Sequence, residues 1–175
     1  MIHNTKISII VAMDEKRGIG KDNKIPWHIK EDLVRLRNLT KDHVVILGRK
    51  TYDSVVWYYN KSGRQMPGRL YKVITRDKDY QPAKEKTVVA HSFAEAVSFA
   101  RRPLAKLEEE VFIIGGGQIY QQALPFTDKL YLTIVEGDYN CDTFFPRFSE
   151  FKKVIHEESK ESEGHRYKFL ELERE

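Results

Sequence analysis

The sequence contains one cysteine and no apolar run long enough to cross a membrane. Cys141 alone cannot form an intramolecular disulfide, so an oxidising compartment is not implied. The first apolar run, residues 7–13, falls well short of the roughly 20 residues that a spanning helix needs. It is also too short and wrongly flanked for a secretion signal. We therefore expect a cytoplasmic protein with no membrane partner.

Motifs of several enzyme classes are missing as well. The six histidines show no H-E-x-x-H spacing and a single cysteine cannot build a metal cluster, so we expect no catalytic metal. No G-x-S-x-G elbow is present, which leaves hydrolysis through an activated serine without support. The G-x-x-x-x-G-K-[ST] spacing of phosphate loops is also absent, which disfavours ATP hydrolysis.

Length and composition are those of an ordinary globular protein. The chain has 175 residues, 41% hydrophobic and 32% charged, so we expect a single domain over residues 1–175. The net charge is +4, but residues 1–100 carry 19 basic and 11 acidic side chains, a net +8. This half of the chain can attract an anion. Its basic residues are spread singly rather than clustered, so we expect no nucleic acid partner.

Short β-rich runs alternate with segments of helical spacing. Ile29, Leu33, Leu36 and Leu39 recur at intervals of three and four, as do apolar residues in 93–100. Two late runs, 151–156 and 167–172, are separated by polar residues 157–164 without a helix, which indicates an antiparallel edge. The remaining runs are 7–11, 44–47, 71–75, 87–90, 111–114 and 130–135. The pattern predicts an α/β fold with a central, mostly parallel twisted sheet, an antiparallel C-terminal edge and about four flanking helices.

An acidic side chain interrupts the first apolar helical stripe. Asp32 follows Ile29 by three residues and precedes Leu36 by four, so it lies among apolar positions, where an unpaired carboxylate is costly. Two interpretations stay open. The carboxylate caps free amides in the first helical turn, where the helix dipole favours an acid. Alternatively, it lies on a pocket wall and holds a cationic or amidine-like ligand by two hydrogen bonds.

A glycine-rich turn follows a buried strand. Residues 111–120 run from that strand through Gly115, Gly116 and Gly117 into a helix, which leaves backbone amides bare at a helix N-terminus. Such amides suit phosphate groups. The G-x-G-x-x-G fingerprint is not met, so a tight turn without a ligand is the alternative.

Cations follow two other strands. Arg49 and Lys50 come directly after the strand at 44–47, and Arg76 follows the strand at 71–75. Because adjacent strand ends of an open sheet share one edge, these three side chains can grip one phosphate. Ordinary surface charge is the alternative. Residues 18–27, between the first strand and the Asp32 helix, combine glycines with an Ile-Pro-Trp anchor and predict a mobile flap.

Seven segments taken together resemble the dihydrofolate reductase family. They are residues 19–27, 31–33, 46–54, 67–69, 113–120, 130–133 and 142–146. Their order and spacing match the family pattern from the first strand to the strand near residue 170. The resemblance implies reduction of 7,8-dihydrofolate to 5,6,7,8-tetrahydrofolate by hydride transfer from NADPH, in support of one-carbon and thymidylate metabolism. It also implies a cytoplasmic monomer that binds diaminopyrimidine antifolates.

The resemblance further implies roles for individual residues around the substrate. Asp32 would bind the pterin 2-amino group and a ring nitrogen and would assist protonation through a water. Thr133 would hydrogen-bond Asp32 or that water, and Trp27 would order the water. Arg69 would pair with the glutamate α-carboxylate of folate as a bidentate fork. The apolar lining of the substrate pocket would be Ile10, Leu33, Leu36, Val55 and Ile114.

A second set of residues is implied for the cofactor. The nicotinamide would be bordered by Ala12, Ile19 and Tyr120, the last also counted among the catalytic residues. The pyrophosphate would be held by Gly116, Gly117, Gln118 and Thr51. The 2′-phosphate would be surrounded by Arg49, Lys50, Thr75 and Arg76. Gly48, Gly115 and Ile119 complete this set, and a cis bond between the first two glycines is a frequent family feature.

Some positions depart from the commonest family pattern. Leu36 stands where many members have Phe, and Gln118 replaces a cation found in some relatives. Residues 56–66 form a longer segment than in compact bacterial forms, and the pattern does not place its aromatic residues. Two alternatives remain: a reductase of a pyrimidine intermediate of riboflavin synthesis, which the spacing of Trp27 and Asp32 disfavours, and a basic nucleic-acid or nucleotide-binding module.

Overall fold

Strands and helices alternate along the first two thirds of the chain, as the apolar runs predict. The structure, a computed structural model, describes residues 5–100 and 110–175. The strands are β1 Lys6–Asp14, β2 Gly18–Gly20, β3 Val44–Gly48, β4 Leu70–Ile74, β5 Thr87–Ala90, β6 Glu110–Ile113, β7 Lys129–Val135, β8 Thr143–Phe144, β9 Lys153–Ser162 and β10 His165–Glu173. The helices are α1 Lys30–Thr40, α2 Arg49–Ser62, α3 Phe93–Ala100 and α4 Gly117–Ala123, followed by a 3₁₀ turn at Leu124–Phe126.

Eight strands form one sheet in the order β5-β4-β3-β6-β1-β7-β10-β9. All neighbours from β5 to β7 run parallel, whereas β10 is antiparallel to both β7 and β9. The predicted α/β class, mostly parallel sheet and antiparallel C-terminal edge are confirmed. Within the described residues, no helix combines the length and apolar surface that a membrane crossing requires.

The sequence pattern predicts that residues 157–164 connect two strands, but most of them belong to a strand. The first part of this stretch belongs to β9, which continues to Ser162, and the turn consists of Glu163 and Gly164, both with positive φ. β9 is the outermost strand and almost all of its side chains are exposed. Because neither face of β9 is buried, residues 157–162 carry no apolar alternation that would mark them as a continuation of the strand predicted at 151–156.

Alternate residues of β1 divide between the two faces of the sheet. Ile7, Ile9, Val11 and Met13 are buried in the main core, which includes apolar side chains of α3 and α4. Ala12 faces the opposite side and packs against a cluster centred on Trp27 and Tyr167. This second face carries α1, so the helix with Asp32 covers the carboxyl half of β1.

One buried carboxylate organises the loops that follow β1. Asp14 is only 1% exposed. Its Oδ1 accepts hydrogen bonds from the backbone N–H groups of Lys16 (2.9 Å) and Gly18 (2.8 Å), and its Oδ2 accepts one from Tyr139 N–H at 3.0 Å. A Cβ at Gly18 would lie 2.5 Å from the Cβ of Cys141, so only glycine fits there. Asp14 thus holds the base of the segment that leads to Trp27.

We expect Asp14→Ala to lower the free energy of unfolding by about 3 kcal/mol, because three backbone N–H groups lose a charged acceptor. Urea unfolding followed by circular dichroism measures the change. Asp138→Ala is the matched control, since Asp138 is exposed and pairs with Lys16 at the surface, where such pairs add little to stability. Equal losses in the two variants would contradict the anchoring role of Asp14.

Candidate active site

A cavity of about 580 Å³ lies between α1, α2 and the carboxyl half of β1. Its walls are mostly apolar and include one carboxylate, that of Asp32. The lining residues are Ala12, Ile25, Trp27, His28, Ile29, Asp32, Leu33, Trp57, Tyr58, Lys61 and Ser62. An apolar cavity with a few polar groups is the usual form of a small-molecule site.

The Asp32 carboxylate points away from the start of its own helix. α1 begins at Lys30, and the hydrogen bond of Asp32 among the described residues comes from the Thr133 hydroxyl of β7, Oγ1 to Oδ1 at 2.5 Å. Thr133 is directly opposite Ala12 in the parallel β1–β7 register, which brings it to the cavity. The geometry therefore favours the interpretation of Asp32 as a pocket carboxylate over that of a helix cap.

Burial raises the pKa of the Asp32 carboxyl above its usual range, because the charged form loses water. Two smaller effects oppose this. The hydrogen bond from Thr133 and the positive charge of Arg35 both favour the carboxylate and lower the pKa. The result is an acidic group that holds its proton more readily than an exposed aspartic acid.

The other predicted substrate residues divide between this cavity and its surroundings. Trp27 and Leu33 line the cavity with Asp32, and the Trp27 ring packs edge-on against Tyr139 at a centroid distance of 5.1 Å. Half-buried positions outside the lining are Ile10, Leu36, Val55 and Ile114. Arg69 is exposed, its backbone N–H donates to the carbonyl of His43, and it also lies outside the cavity lining.

The three glycines form a tight turn at the ends of β3 and β6. The Gly115–Gly116 peptide bond is cis, and Gly115 has a φ of 132°, a conformation that favours glycine. The backbone N–H of Gly48 donates to the carbonyl of Gly115 at 2.8 Å. A Cβ at Gly116 would stand 3.3 Å from Thr51 Oγ1, and one at Gly117 only 2.9 Å from Thr143 Cγ2.

Predicted cofactor residues surround this turn. α2 begins at Arg49 with Gly48 as its N-cap, and α4 begins at Gly117, so the N-termini of both helices face the turn. The Ile19 side chain approaches from β2, Ile119 contacts Gly48, and Gln118 occupies the first turn of α4. The Tyr120 hydroxyl donates to the carbonyl of Ile10 at 2.8 Å, and full burial raises the pKa of this phenol.

The predicted 2′-phosphate cations lie at the ends of β3 and β4. Arg49, Lys50 and Arg76 are exposed there, and Thr75 accepts a hydrogen bond from the backbone N–H of Asp77. The Arg49 guanidinium lies 3.4 Å from Asp77 and 3.8 Å from Asp53, and it stacks over Tyr80. These two carboxylates were not among the predicted site residues, although Asp53 stands four residues after Arg49 and Asp77 directly after Arg76.

The aromatic residues of α2 were not placed by the sequence analysis. The helix continues to Ser62, and Tyr59 faces inward whereas Trp57 is 63% and Tyr58 38% exposed. Trp57 and Tyr58 form the outer wall of the cavity, and Lys61 Nζ lies 4.9 Å above the Trp57 ring. Exposed Ile25 lies on the same rim. Helical spacing over residues 49–62 was the available signal.

Open α/β sheets bind ligands beyond the carboxyl ends of their parallel strands, where the cavity and the glycine turn both lie. The chain therefore falls in the class of α/β proteins in which a small-molecule cleft adjoins a glycine-rich turn at a helix N-terminus. Comparison with known proteins makes the class specific. The family model "Dihydrofolate reductase" matches residues 6–174. The chain belongs to the dihydrofolate reductase family.

Individual relatives cover nearly the whole chain. It is 42% identical over 166 residues to the dihydrofolate reductase of Staphylococcus haemolyticus, an alignment that spans 94% of this chain and 92% of that one. It is 37% identical over 167 residues to the Bacillus subtilis enzyme, across 93% and 90% of the two chains. The Enterococcus faecalis dihydrofolate reductase, solved in complex with NADP(H) and RAB-propyl, superposes with a TM-score of 0.79 at 27% identity and covers 99% of both chains.

We expect Asp32→Asn to stabilise the protein at pH 7.5. Burial raises the pKa of Asp32 in the folded state above its value in the unfolded state. At pH values between these two pKa values, the protein therefore takes up a proton when it folds. Stability is therefore lost as pH rises through that window, and the amide removes the cost. The thermal midpoint at pH 7.5 is expected to rise by about 2 °C or more.

Differential scanning calorimetry at pH 7.5 and again at the lowest pH at which the fold persists measures the effect. The gain should shrink at the lower pH, because Asp32 is then protonated in both states. Glu161→Gln, at an exposed position on β9, is the matched carboxyl-to-amide control and should change little. A lower midpoint for Asp32→Asn than for the control at pH 7.5 would contradict the burial cost.

Proposed function

We propose that this protein catalyses the NADPH-dependent reduction of 7,8-dihydrofolate to 5,6,7,8-tetrahydrofolate by hydride transfer. The observation that carries the proposal is the Asp32 carboxylate, buried in an apolar cavity and hydrogen-bonded to Thr133. Membership of the dihydrofolate reductase family and the likeness to an enzyme solved with NADP(H) give the chemistry. The product supports one-carbon and thymidylate metabolism.

Asp32 binds the pterin in this proposal. Thr133 occupies one lone pair of Oδ1, so Oδ2 and the remaining Oδ1 lone pair are available to a ring nitrogen and the 2-amino group. Two parallel hydrogen bonds to a carboxylate fix the ring plane. The raised pKa of Asp32 favours a proton held between the carboxylate and the pterin, from which a water ordered beside Trp27 can be protonated.

The apolar walls keep bulk water from the reacting rings. Ala12, Trp27 and Leu33 enclose the inner part of the cavity. Residues 18–27 are anchored by Asp14 at one end and by buried Trp27 at the other, with exposed residues between them. We assign this segment the role of a flap that closes over the nicotinamide, since exclusion of water and close positioning both favour hydride transfer.

The residues around the glycine turn fit NADPH, which supplies the hydride when bound. A side chain at Gly116 would fill the space in front of Thr51 Oγ1, so the bare turn leaves room for a pyrophosphate. The α2 N-terminus adds backbone amides to Thr51 and Gln118 there. Arg49, Lys50, Thr75 and Arg76 surround the 2′-phosphate in this proposal, and Ala12, Ile19 and Tyr120 border the nicotinamide.

The outer part of the cavity suits the remainder of the substrate. Trp57, Tyr58 and Ile25 offer apolar surface for an aminobenzoyl ring, and Lys61 offers a cation for a carboxylate. Arg69 is proposed to bind the glutamate α-carboxylate. Diaminopyrimidine antifolates carry the same amidine group as the pterin and would bind Asp32. We also propose that residues 1–175 form one domain and that the protein is a cytoplasmic monomer without a nucleic acid or membrane partner.

Incubation with NADPH and dihydrofolate is expected to consume NADPH, measured as loss of nicotinamide absorbance and blocked by a diaminopyrimidine. Asp32→Asn should lower kcat by about 10² to 10⁴, most strongly at neutral and higher pH, where protonation must be assisted. Glu161→Gln should retain wild-type turnover. Full activity of Asp32→Asn would remove Asp32 from its proposed role.

The cofactor preference is a separate prediction. Arg76→Ala is expected to raise KM for NADPH about tenfold or more and to leave KM for NADH unchanged, because only NADPH carries the 2′-phosphate. Lys78→Ala, at an exposed position two residues further along, is the matched control. Equal effects of Arg76→Ala on the two cofactors would refute the assignment of Arg76.

A further inference from the structure

A second charged group, largely buried, lies directly behind Asp32. Arg35 lies one helical turn further along α1, and its side chain is only 14% exposed. The guanidinium stacks on the Phe169 ring of β10 at 4.3 Å from the ring centroid. A buried guanidinium is costly unless it is engaged, so its partners indicate what it does.

Arg35 shares a hydrogen-bonded relay with Asp32. Its Nη1 donates to the carbonyl of Leu132 at 3.2 Å and to Thr133 Oγ1 at 3.4 Å, while that hydroxyl donates to Asp32 Oδ1 at 2.5 Å. A hydroxyl has one proton and two lone pairs. Because a guanidinium N–H occupies one lone pair, the Thr133 proton is directed at the Asp32 carboxylate. The relay thereby orients the Asp32 carboxylate, and it polarises the Thr133 hydroxyl so that this group donates a stronger hydrogen bond to the carboxylate.

The positive charge of Arg35 is only partly neutralised by its counterion. Glu171 of β10 lies 3.7 Å from Nη2, beyond hydrogen-bonding distance, and its other oxygen is held by Lys129 at 2.8 Å. Among the described residues, Nη2 is a buried group without a hydrogen-bond partner. The positive charge of Arg35 therefore still attracts the Asp32 carboxylate.

We propose that Arg35 is a positioning residue that, through the Thr133 hydroxyl and its own charge, keeps the Asp32 carboxylate oriented and ionised and so sets the pH range of turnover. The effect on turnover rests on the proposed function. The effect on the Asp32 carboxylate does not rest on the proposed function, because this effect follows from contacts within the chain.

The other groups near Asp32 oppose or balance one another. Glu31, its neighbour on α1, raises the pKa of Asp32, but Glu31 is itself held by the Tyr167 hydroxyl at 2.7 Å and by Lys160 at 2.9 Å. Other titratable groups on packed elements and at the cavity are Tyr131 on β7, Glu171 on β10, Glu158 on β9, Tyr120 on α4, His28 before α1, and Tyr58 and Lys61 on α2. Of all these charges, Arg35 is the one that lowers the pKa of Asp32.

The direction of the expected effect follows from charge. Removal of Arg35 takes away a cation that favours the carboxylate, so Asp32 holds its proton to higher pH. Removal of Glu171 strips Arg35 of its counterion and has the opposite effect. If Arg35 had only a structural role, the two substitutions would not shift the pKa of Asp32 in opposite directions, because both would loosen the same packing.

The decisive measurement is a carbon-13 NMR titration of the Asp32 carboxyl in the ligand-free protein, with the resonance assigned from Asp32→Asn. Arg35→Gln is expected to move the midpoint up by about half a pH unit or more, and Glu171→Gln to move it down. Arg35→Lys should restore most of the wild-type value. Arg166→Gln, which removes an exposed arginine on β10, should leave the midpoint unchanged.

Turnover is then measured against pH for the same variants. The limb on which kcat falls with rising pH should shift upward in Arg35→Gln and return towards wild type in Arg35→Lys. An unshifted NMR midpoint in Arg35→Gln, or equal shifts in the glutamine and lysine variants, would overturn the proposal. If Arg35→Gln does not fold, an unshifted or raised midpoint in Glu171→Gln overturns it. Absence of turnover in the wild type, with the NMR shifts as expected, would refute the proposed function alone.

Discussion

The hydrogen bond between Thr133 and Asp32 joins the two halves of the site. It connects the first turn of α1 to the middle of β7, and it holds a carboxylate inside an apolar cavity without neutralising it. Two neighbouring parts of the structure position the residues around this hydrogen bond. Asp14 fixes the loop that brings Trp27 over the cavity, and the β1–β7 register places Ala12 beside Thr133. Displacement of α1 by one residue would turn the acid away from the cavity.

The sheet and its buried strands were predictable because their physical signals are local. β3 and β6 are covered on both faces and appear as continuous apolar runs, and Asp32 was conspicuous because it interrupts an apolar helical stripe. The start of β9 was predicted from the run at 151–156, but its continuation to Ser162 was not, since an edge strand exposed on both faces needs no apolar alternation. Arg35 interrupts the same stripe as Asp32 and passed unnoticed. Its importance depends on Thr133, Glu171 and Phe169, which are distant in sequence.

Stability and chemistry oppose each other at this site. An uncharged side chain at position 32 would be easier to bury, yet the proposed chemistry needs a carboxyl group there, whose pKa burial raises. Arg35, Glu171 and Lys129 extend the charged network along the face of the sheet that carries Thr133, each side chain being largely buried. Such a network costs desolvation, which close contacts between its charges only partly offset.

The length of α2 has a consequence for selectivity among inhibitors. The helix runs to Ser62 before a left-handed Gly63 ends it, and its last turns add Trp57, Tyr58 and Lys61 to the rim of the cavity. A compact heterocycle that occupies only the region near Asp32 leaves this rim untouched. A compound with a rigid aryl arm would also cover the indole, so any selectivity that depends on this rim would reside in the arm rather than in the heterocycle.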